Sequence, residues 1–316
     1  MVATVNIVIG SIYTSTSAVL FSVNAVVLLT IFRHKEFNTN TYRIIKNMIP
    51  GCMMQLMSHF IGGLMTLYDS NIDDYLERIA GAWIQSGWFL YLGASLALAV
   101  ERALIFVVVV DNRSTTLITW GFLVFSWTVA IIYLVGLNLP GFGFTYLSNH
   151  GYYDWFYDKQ PGTQSFLTME MCLDFVILVV VLLLYFTVFA RIYLLRQTAR
   201  SGIACSAAEL RILGIAVISF LYESTYLLWF FWGSQLMNEG VLSSFIVQCL
   251  WIFDCGLFSV ATVLINGSIR RKIRRTFQKE KHGSFVTTVN VVTRMPASPH
   301  SLNVSGLSSP STVSIQ

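Results

Sequence analysis

Acidic side chains inside apolar stretches are the feature of this sequence with the clearest capacity for chemistry. Glu101 and Arg102 stand side by side at the end of a long apolar run. Ionisable groups in apolar surroundings are costly, so each needs a partner, a proton or a water-filled cavity. The other acids in such positions are Glu170, Asp174, Glu223 and Asp254.

The spacing of these acids suggests how they are arranged. Glu170 and Asp174 are four residues apart and would share one face of a helix. Glu223 and Asp254 fall in the middle of two other apolar stretches, and no lysine or arginine lies at a comparable position. One interpretation is an outward-opening cavity that receives a cation, an amine or a hydrogen-bonding ligand. The other is structural hydrogen bonding between helices, which is common in membrane bundles.

Two further polar residues, Gln55 and His59, are also four residues apart. Polar packing against Asn24 or Asp254 would account for them, and contact with a ligand is the alternative. Several tryptophans are expected near the outer ends of the helices, where they would anchor the protein at the membrane interface. These tryptophans are Trp83, Trp88, Trp229 and Trp232.

The elements that must position these residues follow from the apolar pattern. The chain has 316 residues, of which 55% are hydrophobic and 11% charged, whereas a soluble domain carries about 25% charged residues. Seven stretches are long enough to supply the roughly 20 helical residues that cross a bilayer. The prediction is an all-α membrane protein, a seven-transmembrane helix bundle. The predicted spans are Asn6–Phe32, Ile44–Tyr68, Gly81–Val100, Leu117–Leu137, Phe166–Ala190, Ile212–Trp232 and Ser244–Ile265.

The charges of the loops orient this bundle. With the N-terminus outside, every Lys and Arg except Arg78 and Lys159 falls on the inner side. Positively charged loops remain on the cytoplasmic side of membranes. The sequence therefore predicts an N-terminus outside and a C-terminus in the cytoplasm.

Seven spans, an outer N-terminus and Glu-Arg at the inner end of the third span resemble the rhodopsin-like G-protein-coupled receptors. The segment "NMIPGCMMQLMSHFIGGLM" (Asn47–Met65) resembles the second-helix signature of the nematode serpentine chemosensory receptors of class T, with Gln55, Leu56, His59 and Gly62 as matches. The segment "INGSIRRKIRR" (Ile265–Arg275) resembles the end of the family's seventh helix.

The sequence also departs from the family pattern. Gly51 stands where class T has an aspartate, Ala103 where tyrosine is commoner, and Gly267 where the family has a proline. A disulfide that ties the third helix to the second outer loop is absent, since no cysteine lies between Cys52 and Cys172. The loop from residue 138 to 164 must therefore be ordered by its own aromatic side chains or remain mobile.

The resemblance implies a chemosensory receptor at the cell membrane, in a sensory cilium, that binds a small ligand and activates a heterotrimeric G protein. In such a receptor Glu101 restrains Arg102 at rest, and Arg102 faces the G protein after the inner ends of the helices separate. Glu209 is a candidate second partner for Arg102, with an ordinary solvated charge as the alternative, and Asn266 matches the family's seventh-helix asparagine. The alternative to this switch is that the side chains of Glu101 and Arg102 only extend to the water at the membrane interface.

The basic segment after the seventh span predicts a short amphipathic helix on the inner leaflet, within a receptor domain that covers residues 1–281. Its cations would contact anionic lipid headgroups. Residues 282–316 are rich in Ser and Thr and predict a disordered cytoplasmic tail, which phosphorylation would suit to an arrestin-like partner. The cations of the helix are Arg270, Arg271, Lys272, Arg274 and Arg275.

Two other classes of protein are alternatives to a receptor. A seven-helix transporter or ligand-gated channel would be supported by internal repeats, and none is evident. An intramembrane enzyme is not expected, because the chain lacks the HExxH and GxSxG motifs and its intramembrane aspartates have no protease-like context. The sequence predicts no cofactor, no metal site and no nucleic-acid partner.

Overall fold

The computed structural model describes residues 2–147, 153–198, 207–236 and 240–283, and this part of the chain contains eight α-helices and one antiparallel pair of strands. A 3₁₀ turn, Lys35–Phe37, and a π-helical turn, Leu104–Val108, lie in the inner loops. The helices are α1 (Val2–Arg33), α2 (Asn40–Tyr68), α3 (Asp74–Ala103), α4 (Asn112–Gly136), α5 (Thr163–Thr198), α6 (Ala207–Leu236), α7 (Val241–Ile265) and α8 (Gly267–Gly283), and the strands are β1 (Phe144–Leu147) and β2 (Asp154–Tyr157).

Helix α3 lies at the centre of the bundle, in contact with α2, α4, α5 and α6. In its most apolar stretch 67% of the residues are buried, against 28% in α4 and in α5. The apolar side chains that α4 and α5 leave exposed suit a lipid environment. Helix α3 therefore carries the residues that face the interior at both ends of the bundle.

Six helices in the described part of the chain (α1 and α3 to α7) are long and apolar enough to cross a membrane. Helix α2, the seventh, is more polar, and several of its polar side chains, including Gln55, Ser58 and His59, are buried against its neighbours. Helix α3 begins at Asp74, ahead of the predicted start at Gly81. The reason is the carboxylate of Asp73, which caps the helix by accepting from the main-chain N–H groups of the two residues after Asp74, at 2.9 and 3.0 Å.

Two glycines let α2 and α3 approach closely. A Cβ atom on Gly51 would lie 2.8 Å from the carbonyl oxygen of Gly87, and one on Gly87 would lie 2.6 Å from the carbonyl oxygen of Gly51. Small residues at crossings are the usual way in which membrane helices pack backbone against backbone. This crossing gives a physical reason for glycine at position 51, where any side chain would force the helices apart.

The loop between α4 and α5 forms a β-hairpin whose aromatic side chains are buried in the outer mouth of the bundle. Phe144 pairs with Tyr157, and Tyr146 pairs with Trp155. Phe144, Tyr146 and Trp155 are each at most 1% exposed. Cys52, Cys172, Cys249 and Cys255 are all free. The described part of this loop is thus ordered by its own aromatics, one of the two outcomes that the sequence left open.

The chain through Phe277 forms one compact unit. Of the second unit, Gln278–Gln316, the structure describes residues 278–283, which complete α8. The predicted disordered tail, 282–316, lies almost entirely outside the described residues.

Candidate functional site

An ion pair is buried at the inner end of the bundle. Arg102 Nη2 lies 3.0 Å from Glu101 Oε2, and the two side chains are 1% and 2% exposed. Thr41 of α2 donates its hydroxyl to Glu101 Oε1 at 2.7 Å and accepts a hydrogen bond from Arg102. These three side chains join the inner ends of α2 and α3. The pair does not extend to the water interface.

Arg102 is incompletely paired in this arrangement. Among the described residues, its Nε and Nη1 atoms have no hydrogen-bond partner. A cavity of about 460 Å³ adjoins the pair and is also lined by Asn40 of α2, Asn112 of α4 and Ile212 of α6. A guanidinium with unpaired donors would bind an acceptor group from another molecule if a movement of the helices exposed it.

Asn266 occupies the junction between α7 and α8. Its Oδ1 accepts from the main-chain N–H of Ser268 at 3.1 Å and of Ile269 at 3.4 Å, so Asn266 caps the start of α8. Its Nδ2 donates to the hydroxyl of Tyr42 on α2 at 3.3 Å. Asn266 therefore holds α8 against α2. The side chain of Glu209, the candidate second partner of Arg102, lies outside the described residues.

Helix α8 is amphipathic. Ile269 is fully buried, while Arg270, Arg271, Arg274 and Arg275 are exposed. Lys272 Nζ lies 2.7 Å from Glu36 Oε1 in the first inner loop, and the hydrogen bond from Lys272 lowers the pKa of Glu36. Exposed cations on one helix are a pattern that would suit contact with a negatively charged lipid surface.

Glu170 and Asp174 of α5 meet α3 in the outer half of the bundle. Trp88 donates its indole N–H to Asp174 Oδ1 at 3.1 Å. Gln85 Nε2 lies 3.4 Å from each oxygen of Glu170, at the long end of hydrogen-bond distances. The two acids are 4% and 1% exposed. The predicted pair thus faces the interior, on the side of α3.

Glu223 and Asp254 lie one helical turn further in. Tyr91, three residues after Trp88 on α3, donates its hydroxyl to Glu223 Oε2 at 3.5 Å. Asp254 is 1% exposed, and its Oδ1 has no hydrogen-bond partner among the described residues. Glu223 lies close enough to both Asp254 and Asp174 for their charges to repel. The structure therefore brings four of the predicted buried acids close together: Glu170, Asp174, Glu223 and Asp254.

Trp251 of α7 is the centre of an aromatic cluster beside these acids. Its ring centroid lies 6.3 Å from that of Trp88, 5.9 Å from that of Tyr226 and 6.3 Å from that of Phe230. The hairpin reaches the same cluster, since the ring of Phe144 lies 6.5 Å from that of Trp251. A ligand that enters from outside and contacts this cluster would touch α3, α6, α7 and the hairpin together.

Gln55 and His59 join α2 to α7, with partners other than the expected Asn24 and Asp254. Gln55 Oε1 accepts from the indole N–H of Trp251 at 2.8 Å, and His59 Nδ1 lies 2.8 Å from Gln248 Nε2. Asn24 instead accepts from the hydroxyl of Ser259 at 2.6 Å. Gln55 and His59 instead meet the face of α7 that carries Gln248, Trp251 and Cys255. Both residues lie next to the aromatic cluster, at its α2 side.

Polar contacts hold the hairpin in the mouth of the bundle without a disulfide. Glu77 of α3 accepts from the main-chain N–H of Tyr146 at 2.8 Å. The hydroxyl of Tyr146 is 2.7 Å from that of Thr66 on α2, and Tyr153 donates to Asn6 on α1. The hairpin is thus fastened to three helices.

Asp154 at the start of β2 is a titratable group within the docked hairpin. Loss of water around its carboxyl group raises the pKa of Asp154 to about 8, from an ordinary value of about 3.9. Its described partner is the main-chain N–H of Trp155 at 2.8 Å, and the hydroxyls of Tyr13 and Tyr146 lie close enough to interact with its charge.

We therefore expect the hairpin to dock best at acidic pH. Between about pH 4 and pH 8 the docked form holds a proton on Asp154 that the detached form releases, so docking weakens as pH rises through that window. Hydrogen exchange of 144–147 and 153–157, corrected for the intrinsic rate at each pH, should show lower protection at about pH 8.5 than at about pH 5.5. Asp154→Asn should remove the difference, and equal slopes in variant and wild type would contradict the assignment.

The acid cluster has no counter-ion in the part of the chain that the structure describes. The ion pairs of Glu101 with Arg102 and of Glu36 with Lys272 both lie at the inner side, away from this cluster. Nor do the described residues include a group of three or more His, Cys, Asp or Glu arranged to hold a metal ion.

Sequence reasoning missed several residues of these sites. Trp88 was expected at the membrane interface, and this was wrong, because it is 1% exposed and hydrogen-bonded to Asp174. Gln85 lies three residues before Trp88 on the same helical face, a spacing that would have identified both as a polar stripe in an apolar helix. Nothing in the sequence singles out Thr41 or Trp251.

Comparison with solved structures identifies the architecture. The crystal structure of squid rhodopsin is similar to this chain over 93% of each chain, with a TM-score of 0.69 and 13% identical residues. No family model and no curated protein matches the sequence. The chain therefore has the rhodopsin-like seven-transmembrane fold. At this level of identity the likeness extends to the fold alone.

Proposed function

We propose that this protein is a chemosensory G-protein-coupled receptor of the cell membrane, similar to the class T serpentine receptors of nematodes. It binds a small ligand from the outer side and activates a heterotrimeric G protein at the inner side. The chemosensory and nematode parts of the proposal rest on the sequence resemblance, and a location in a sensory cilium follows from them.

The observation that carries the proposal is the buried pair of Glu101 and Arg102 beside the inner cavity. A buried ion pair stabilises one packing of the helices, and removing a partner from such a pair destabilises that packing strongly. Arg102 lines the cavity, and two of its nitrogen atoms have no hydrogen-bond partner among the described residues. An acceptor from a G protein would complete its hydrogen bonds only after the helices have moved.

Two helices connect the outer and inner sites. Trp88 and Arg102 are both on α3, separated by about 21 Å at 1.5 Å per residue. Helix α6 carries Glu223 and Tyr226 toward the outer cluster and Ile212 at the inner cavity. A ligand that binds one packing of α3 against α6 more tightly than another would shift the population of the inner cavity's closed form.

The proposal is tested with the full chain purified in lipid nanodiscs. Ligands from a chemical library are expected to accelerate nucleotide exchange on at least one purified Gα subunit. Arg102→Gln is expected to abolish that acceleration at a temperature where the variant is still folded, although loss of a partner from the buried pair should lower its thermal midpoint. A ligand-evoked current across a bilayer that contains this protein alone, with no exchange on any Gα, would favour the channel class instead.

The remaining partners belong to the same proposal. The exposed arginines of α8 contact the inner leaflet. The Ser- and Thr-rich tail, outside the described residues, would recruit an arrestin-like protein after phosphorylation.

A further inference from the structure

The outer acid pair presents more hydrogen-bond acceptors than donors. Asp174 Oδ2 and Gln85 Oε1 have no hydrogen-bond partner in the described part of the chain. Trp88 supplies one N–H to Asp174, while Glu170 has long contacts from Gln85 and the hydroxyl of Tyr157 close by. Gln85 is fully buried and Asp174 is 1% exposed. The site is therefore built around acceptor atoms that the protein leaves unmatched.

This imbalance defines the chemistry of a fitting ligand. A buried acceptor without a donor is destabilising, and more so when the acceptor is charged. Glu170 and Asp174 lie close enough to repel one another, and no described cation pairs with either. A neutral apolar ligand would leave both defects in place. A primary ammonium group brings three N–H donors and one positive charge, and so corrects both.

The surroundings also define what the rest of the ligand should be. The hydrogen bond from Trp88 to Asp174 places the indole ring beside the unmatched carboxylate oxygen. The ring centroid of Tyr226 lies 5.8 Å from that of Trp88, and the angle between the two ring planes is 74°. An apolar body attached to the ammonium would pack against these rings.

We infer that the ligand of this site is a small organic primary amine, with its ammonium on Asp174 and Glu170 and its apolar part against Trp88 and Tyr226. This inference rests on the proposed function, since it names the class of ligand that the receptor takes. The amine is recognised by charge and donor count, so a neutral molecule of the same shape binds much more weakly.

The test compares matched amine and alcohol probes on the full chain in nanodiscs at one fixed pH. The probes are 2-phenylethylamine against 2-phenylethanol, and butylamine against 1-butanol. At least one amine is expected to raise the thermal midpoint with increasing concentration, and its alcohol is expected to have little effect.

Two substitutions locate the effect. Asp174→Asn and Glu170→Gln are each expected to weaken amine binding by about tenfold to a hundredfold, the range for losing a charge-assisted hydrogen bond. Asp74→Asn is the matched control, because Asp74 is exposed at the outer start of α3 and should leave amine binding unchanged. Glu170→Gln and the amine–alcohol comparison on the wild type keep the test decisive if Asp174→Asn does not fold.

Three results would overturn the inference: alcohols that stabilise the protein as well as the amines do, neither amine raising the midpoint, or amine binding that survives both substitutions. Stabilisation of Asp154→Asn by lowering the pH without any amine, to the same extent, would assign the cluster to protons instead and would also overturn the inference. The Asp154→Asn background is used because it removes the pH dependence expected from the hairpin. Ligand-free nucleotide exchange on Gα by Glu101→Gln in the same nanodiscs separates the two proposals. Exchange by Glu101→Gln without amine binding would support the receptor proposal and contradict the proposed amine ligand. Amine binding without exchange would contradict the receptor proposal.

Discussion

Replacing Gly81 with alanine is expected to displace the outer hairpin from α3. A Cβ atom at position 81 would lie 1.6 Å from the carbonyl oxygen of Phe144 and 2.7 Å from its carbonyl carbon. Backbone atoms of a docked strand cannot move aside as a flexible side chain can. Overpacking of this kind costs about 1–3 kcal/mol and occasionally more, and at about 3 kcal/mol the docked population falls by about a hundredfold relative to the detached one.

The measurement is hydrogen exchange of the hairpin, together with the thermal midpoint of the protein in nanodiscs. Protection of 144–147 and 153–157 should fall in Gly81→Ala, while protection in α4 should not change. Gly121→Ala is the matched control, because a Cβ there meets nothing within 4 Å. That substitution should be neutral or slightly stabilising, since alanine is the better helix former. Hairpin protection equal in the two variants would show that the hairpin does not rest on Gly81.

The fold was predictable to the extent that the bilayer dictates it. The length of an apolar stretch and the charge of its flanks depend on sequence alone, so the seven helices were found, and α2 was included because of its flanks despite its polar residues. The requirement for glycine at position 81 was not predictable. It arises from Phe144, which is 63 residues away in the chain, and only the packed structure brings the two together.

The candidate sites also have a part that the sequence predicts and a part that it does not. Glu101, Asp174 and Asp254 were identified as candidates because an acid in an apolar stretch is costly wherever the helix points. Their partners were not predicted, because a partner depends on the rotation and depth of a second helix. Trp88 shows the limit of the argument, since a tryptophan near the end of an apolar stretch has the same sequence signature at an interface as in a core.

Glu101→Gln is expected to raise ligand-free nucleotide exchange on the coupled Gα. Glutamine keeps an acceptor for the hydroxyl of Thr41 but removes the negative charge 3.0 Å from Arg102. A buried charge that loses its partner destabilises its packing by about 3–5 kcal/mol. If the open form of the inner cavity returns Arg102 to water or to the G protein, the ratio of open to closed forms should rise by about a hundredfold to a thousandfold or more.

The comparison of three variants makes this prediction specific to the buried pair. Thr41→Val removes the hydroxyl that bonds both Glu101 and Arg102 while keeping the shape of the side chain, so its basal exchange should lie between wild type and Glu101→Gln. Glu36→Gln is the matched control for loss of an acid, because its ion pair with Lys272 is on the surface and surface pairs contribute little to stability. If the buried pair stabilises the closed form, basal exchange should be highest in Glu101→Gln and lower in Thr41→Val. Glu36→Gln should show the wild-type level. If all three variants match wild type at equal surface expression, the pair serves only to satisfy two buried charges, and the coupling between the outer and inner sites must be carried by other contacts of α3 with α6.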